Sequence, residues 1–263
     1  MEALGATVEV RGDSVHATAP MSATGARRLR GANMRLKFPS VGATETLMMA
    51  ASLAEGETVI ENAAQEPEIE DLADLLNSMG AKIRGAGTAT LVIAGVERLH
   101  STAFTTIPDR IEAGTFLCAA AITASALSVG PIIPSHMLPI FGTLQEMGCK
   151  VRVEGDHAVL VPAKGPLKAT DIVTLPYPGF PTDMQAQFVA LLATADGSSV
   201  VRETLFEGRM ECARQMTRLG ADIKVVESTA YITGRKGLLR GGSRAEGTDL
   251  RATAALAIAG LAA

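Results

Sequence analysis

A chain of 263 residues is long for one compact core, so length alone favours two domains or a repeat array. It is 47% hydrophobic and 20% charged with a mean hydropathy of +0.23, too apolar for disorder and balanced enough for a folded protein. Its 24 basic and 28 acidic side chains leave a net charge of -4, and aromatics make up only 3% with no Trp, which argues against general binding to nucleic acid or a membrane surface.

The chain opens on Glu2-Ala3-Leu4-Gly5-Ala6, which reads as the tail of a helix rather than the apolar core of a signal peptide. From there two markers recur about every seventy residues. The first is a helix end running into a strand: LGATVEV from Leu4, MGAKIR from Met79, MGCKVRV from Met147 and LGADIKV from Leu219. Each puts a glycine (Gly5, Gly80, Gly148, Gly220) just past an apolar helix, where a left-handed cap disfavours any side chain. The second is an extended segment, a short turn and an Ala-rich helix, beginning at Ser40, Asp109, Thr182 and Thr248. Between them lie a Val/Ile strand such as Glu57 to Glu61 and an amphipathic helix, with Ile69, Leu72, Leu76 and Met79 on one face in the first copy.

The unit therefore reads β-α-β-α-β-β, with three whole copies, the end of one before them and the start of one after. The first helix of each copy, as in Leu47-Met48-Met49-Ala50-Ala51 and Phe188-Val189-Ala190-Leu191-Leu192, is apolar nearly all round and is expected to be buried on every side. Strands must then surround helices. The fold class that follows is α/β, with repeated βαβαββ units and helices inside a layer of sheet; an ordinary open α/β sheet is the alternative. The uncharged stretch from Gly114 to Pro134 carries Ser, Thr, Gly and Pro, so it reads as a buried helix and its exit rather than a membrane span.

The turns entering the buried helices are Pro39-Ser40-Val41-Gly42, Pro108-Asp109-Arg110, Pro181-Thr182-Asp183 and Gly247-Thr248-Asp249. Ser, Thr and Asp there are favoured helix caps in their own right. Repeats around a shared axis also aim several helix N-termini at one region, and such termini attract anions. Arg110 and Arg251 follow two of the turn carboxylates at short range and Arg209 lies on the separate loop Glu207-Gly208-Arg209; guanidinium groups bind carboxylate and phosphate in a bidentate manner. Asp183 and Asp249 are candidate proton acceptors beside them. No GxxxxGK phosphate loop occurs, and Gly85-Ala86-Gly87 lacks the third glycine and following helix of a dinucleotide site. His16, His100, His136 and His157 are scattered. Cys118, Cys149 and Cys212 lie far apart without CxxC spacing, which predicts core thiols in a reducing, cytoplasmic setting. No metal or cofactor is expected.

Several strings carry a resemblance. Phe38-Pro39-Ser40-Val41-Gly42-Ala43-Thr44-Glu45 with AEGETVIENAAQEPEI, Asp109-Arg110-Ile111-Glu112-Ala113-Gly114-Thr115, FPTDMQAQF from Phe180 to Phe188, and Thr248-Asp249-Leu250-Arg251-Ala252 resemble the enolpyruvyl transferase family across essentially the whole chain. TDMQAQF resembles the branch acting on UDP-N-acetylglucosamine more than the sister acting on shikimate 3-phosphate. The resemblance implies a two-domain inverted α/β barrel, incomplete at both ends of this chain, with an active site between domains. Residues 1–107 would lie on the sugar-nucleotide side and residues 108–263 on the phosphoenolpyruvate side. It further implies transfer of the enolpyruvyl group from phosphoenolpyruvate to the sugar 3-hydroxyl, the first committed step of peptidoglycan precursor synthesis.

By position, Ser40, Val41 and Gly42 match residues at the nucleotide-sugar diphosphate, and Leu205 matches one contacting the sugar nucleotide. Asp183 matches the base at the 3-hydroxyl, Arg209 and Arg251 match residues around phosphoenolpyruvate, and Asp249 matches a second carboxylate at the reacting carbon. Asp109 and Arg110 fall in the second family string and join the substrate-binding set. The family's upstream Lys, Arg and donor Cys have no counterpart here, a further Arg would lie beyond Ala263, and Phe38 stands where some relatives carry Lys. The sequence therefore reads as an internal fragment, inactive alone. A non-catalytic UDP-sugar-binding relative beginning at Met1 is the rival, and a cytoplasmic setting is expected unless the host has plastids.

Overall fold

A computed structural model describes residues 1–22, 25–236, 239–240, 244–247 and 249–263, and its contacts divide the chain into Met1–Ile107 and Pro108–Ala263. Thr248, the first residue of the fourth turn, lies outside the described residues.

The first unit starts with a 3-10 turn, Glu2–Leu4, and a hairpin of β1 (Thr7–Arg11) and β2 (Ser14–Thr18). One whole copy of the repeat follows: β3 (Asn33–Arg35), α1 (Val41–Ser52), β4 (Glu57–Glu61), α2 (Pro67–Ser78), β5 (Lys82–Arg84) and β6 (Thr90–Ala94). The sheet order is β3-β4-β6-β5, with β3 parallel to β4 and the other pairs antiparallel. A parallel pair needs a crossover, which α1 provides. On α2, Pro67 occupies the first turn, where a missing N–H costs nothing, and Ile69, Ala73 and Leu76 are buried.

The second unit carries α3 (Arg110–Ile122), β7 (Leu127–Val129), α4 (Leu138–Glu146), β8 (Lys150–Glu154) and β9 (His157–Val161), in a sheet of order β7-β9-β8. Then come β10 (Ile172–Val173), α5 (Gln185–Thr194), β11 (Ser198–Arg202), α6 (Glu211–Met216), β12 (Asp222–Val226), β13 (Thr229–Thr233) and α7 (Leu250–Gly260). The order β10-β11-β13-β12 reproduces the first copy. The α/β reading holds, and the stretch from Gly114 to Pro134 divides into the end of α3, β7 and an entry turn. Among the described residues no helix is long and apolar enough to cross a membrane.

Two expectations are corrected. The middle copy lacks its first strand: residues 95–109 form none, and the Ile107 N–H goes to Asp71 Oδ1 at 3.2 Å rather than to a ladder. Of the helices expected to be buried on every side, only α5 is, with every residue from Gln185 to Thr194 inside. It is enclosed by α3, α6 and α7 together with β11 and β13. Within its own unit α1 packs mainly on α2, β4 and β6, with Met49 exposed, and α3 likewise leaves Phe116 exposed. Helices do lie inside sheets in the second unit, where α3, α5 and α7 pack on one another while β7 and β9 cover α3. None of the sheets among the described residues closes on itself.

Burial of Phe188, Leu191 and Leu192 on α5 contributes about 1.5–3 kcal/mol per side chain, and Phe180 meets Phe188 edge-on at 5.1 Å between ring centres. The four marker glycines all adopt left-handed φ, from 82° at Gly5 to 101° at Gly148. Equivalent two-residue hairpin turns put Gly12 and Gly155 at φ near 60°, whereas the β12–β13 turn places Glu227 at φ 50°.

Two predictions follow from this packing. Glu227→Gly relieves a left-handed side-chain conformation and is expected to raise stability by about 1 kcal/mol, measured by denaturant melts; a lower midpoint would contradict the strain. Burial pushes the thiols of Cys118 and Cys149 up, and Cys212 up to about 12, so none is a thiolate at neutral pH. A thiol reagent at pH 8 should label all three only after denaturant is added.

Candidate functional site

The helix-entry turns do different work. Ser40 caps α1, its Oγ accepting from Ala43 N at 3.3 Å, and Val41 and Gly42 form the first turn. The carboxyl of nearby Glu45 is pushed up by burial and by the neighbouring Glu68 and Glu66. Asp109 caps α3, with Oδ1 accepting from Ile111 N at 2.8 Å and Glu112 N at 3.1 Å. Arg110 turns inward, 8% exposed, with its guanidinium 5.7 Å from the Tyr177 ring centre. Asp249 caps α7, its Oδ1 accepting from Arg251 N at 2.9 Å and Ala252 N at 3.2 Å. These three caps satisfy N–H groups that a helix start leaves unpaired.

The turn before α5 departs from that pattern. Thr182–Met184 forms a 3-10 turn, and neither Thr182 nor Asp183 caps the helix. Asp183 Oδ1 instead accepts from Arg209 at 3.0 Å and from Arg251 Nε at 2.5 Å. Two arginines, one from the loop before α6 and one from the start of α7, thus converge on one carboxylate oxygen at the mouth of α5. Their side chains are 19% and 29% exposed, against 40% for Asp183. The same terminal nitrogen of Arg209 donates to Thr182 Oγ1 at 2.7 Å, and the guanidinium stacks 4.0 Å from the Phe206 ring centre. Among the described residues, the remaining nitrogens of both guanidiniums and Asp183 Oδ2 have no hydrogen-bond partner.

Beside them is a cleft of about 180 Å³ lined by Gln185, Glu207, Arg209, Cys212, Asp249 and Arg251. Chemically it combines N–H donors on fixed positive charge with two carboxylates, a setting for an anionic substrate and a proton transfer. Asp183, Arg209, Asp249 and Arg251 come together within the second unit, and Leu205 lies in the loop leading to Arg209. Asp109 and Arg110 stand at the start of α3, while Ser40, Val41 and Gly42 belong to the first unit. Among the described residues, no group of three or more His, Cys, Asp or Glu is placed to hold a metal ion.

Sequence reasoning missed Glu203, which is 4% exposed and sits directly after β11. Its Oε1 accepts from Thr174 Oγ1 at 2.9 Å, Leu205 N at 2.9 Å and Phe206 N at 3.2 Å, and its Oε2 accepts from Thr182 Oγ1 at 2.7 Å. The one signal was the repeat itself, since Glu203 occupies the place of Asn62 in the first copy.

The sequence matches the family model of EPSP synthase (3-phosphoshikimate 1-carboxyvinyltransferase) over residues 1–263. It is 53% identical to the UDP-N-acetylglucosamine 1-carboxyvinyltransferase of Gloeobacter violaceus and 54% identical to that of Synechocystis, in each case over the whole of this chain. The chain spans only 55% and 59% of the length of those two relatives. Among solved structures it resembles the enolpyruvyl transferase NikO from Streptomyces tendae at a TM-score of 0.87 and 29% identity, covering 100% of this chain and 63% of that one. EPSP synthase from Acinetobacter baumannii shares the fold at a TM-score of 0.66 and 21% identity, over 98% of this chain and 62% of that one. The match along its entire length makes this chain a member of the EPSP synthase family of enolpyruvyl transferases.

Proposed function

We propose that the protein transfers the enolpyruvyl group from phosphoenolpyruvate to the 3-hydroxyl of UDP-N-acetylglucosamine and releases phosphate, at the entry to peptidoglycan precursor synthesis. The observation that carries this reading is the pair Arg209 and Arg251 held on Asp183 Oδ1 with Oδ2 left open. The names of the relatives favour the UDP-sugar as acceptor over shikimate 3-phosphate.

In this reading the unpaired N–H groups of Arg209 and Arg251 hold the carboxylate and phosphate of phosphoenolpyruvate, as planar guanidiniums suit both anions. Asp183 Oδ2 takes the proton of the sugar 3-hydroxyl as that oxygen bonds to C2, while a general acid of the complete protein delivers a proton to the methylene carbon. The tetrahedral intermediate then loses phosphate and one methyl proton, which restores the double bond on the new ether. Asp249 keeps Oδ2 available beside that carbon while Oδ1 caps α7. Ser40, Val41 and Gly42 at the start of α1 bind the diphosphate of the nucleotide sugar, and Leu205 packs against the sugar. Asp109, which caps α3, and Arg110 beside it belong to the substrate-binding set.

Phosphate release should be measured on the protein made from its complete reading frame, with phosphoenolpyruvate and either acceptor. Turnover with UDP-N-acetylglucosamine and none with shikimate 3-phosphate is expected, and the reverse pattern would overturn the assignment. Asp183→Asn should lower kcat by about a hundredfold or more, because an amide cannot take the proton. Wild-type turnover in that variant would remove Asp183 from the role of base.

A further inference from the structure

We propose that Glu203 is a positioning residue for the transfer: through Thr182 and the Leu205–Phe206 backbone it sets the orientation of Arg209 on Asp183. The inference rests on the function proposed above. Glu203 does not line the cleft, and four donors converge on its two oxygens. Such a pattern suits a carboxylate, which only accepts. Burying one is costly unless it is fully hydrogen-bonded, so its place here points to a demand for geometry rather than for stability.

Comparison of the copies isolates what is special about it. In copy one, β3 and β4 pair Arg35 with Glu61, and Leu36 N donates to Glu61 O; in copy three, β10 and β11 pair Val173 with Arg202, and Thr174 N donates to Arg202 O. Asn62 and Glu203 are therefore equivalent, as are Leu36 and Thr174. Asn62 ends its reach there, its Nδ2 donating to Leu36 O at 3.0 Å. Glu203 ties the same strand ends through Thr174 but reaches on to the turn at the mouth of α5.

The consequence lies in one proton. A Thr hydroxyl has a single hydrogen, and Glu203 Oε2 takes that of Thr182, so the lone pairs of Thr182 Oγ1 are left for Arg209. Glu203 Oε1 meanwhile folds the chain at Leu205 and Phe206, which puts the Phe206 ring beneath the same guanidinium. One buried carboxylate thus fixes both contacts that aim Arg209. In Glu203→Gln an amide N–H faces Thr182 if Oε1 keeps its three donors, the hydroxyl must turn its proton elsewhere, and its bond from Arg209 weakens.

The test uses Glu203→Gln, Thr182→Val, Thr182→Ser and the Glu203→Gln/Thr182→Val pair in the protein made from the complete reading frame. Expected for Glu203→Gln and Thr182→Val is a loss of about tenfold to a hundredfold in kcat/KM for phosphoenolpyruvate. The KM for UDP-N-acetylglucosamine should stay within about twofold of wild type. Thr182→Ser, which keeps the hydroxyl, should retain wild-type parameters, and the double variant should be no worse than the worse single one, as for residues acting in one chain. An active wild type with unaffected Glu203→Gln, with fully additive losses, or with equal losses for both substrates would overturn the positioning role alone. A wild type that releases no phosphate from this substrate pair would overturn the proposed function and this inference with it. Should Glu203→Gln fail to fold, the two Thr182 variants test the same link from its other end.

Discussion

Asp183 Oδ1 shared between Arg209 and Arg251 is the interaction around which the candidate site of the second unit is arranged. It ties three segments separated by 26 and 68 residues: the turn before α5, the loop before α6 and the start of α7. All three groups are partly exposed, so the network contributes more to geometry than to stability. Its value lies in saturating one oxygen of Asp183 while the other, with several guanidinium N–H groups, remains available to a ligand.

That arrangement needs a rigid floor, which α5 supplies. A helix buried along its whole length cannot shift without moving α3, α6, α7 and two strands at once. The turn at its mouth is therefore held in place from below. Side-chain bonds hold it laterally: Thr182 between Arg209 and Glu203, and Gln187 Nε2 reaching Thr115 on α3 at 3.1 Å. The cysteines belong to this packing, and their buried thiols offer no nucleophile to the cleft at neutral pH.

Repetition made much of this legible and also hid part of it. Four copies of a glycine past an apolar helix announced the left-handed caps, and Asp109 and Asp249 announced helix starts, because both depend on residues within one turn of chain. The same regularity suggested that every entry turn would behave alike. Asp183 breaks the rule, since its partners arrive from distant segments and outcompete local capping. The missing first strand of the middle copy is a similar case, where Ile107 found Asp71 instead of a ladder. Glu203 gave no local sign, for its donors include Thr174 and Thr182, 29 and 21 residues away.

The sequence by itself determined the α/β repeat, its helix ends and the residue types able to meet an anion, because caps, strand alternation and apolar faces are written in neighbours a few positions apart. Only the tertiary structure decided which helix is enclosed, which carboxylate is released from capping, and which arginines reach it. Those outcomes turn on the packing of α5 against elements far along the chain, and on hydrogen bonds whose partners no local pattern pairs.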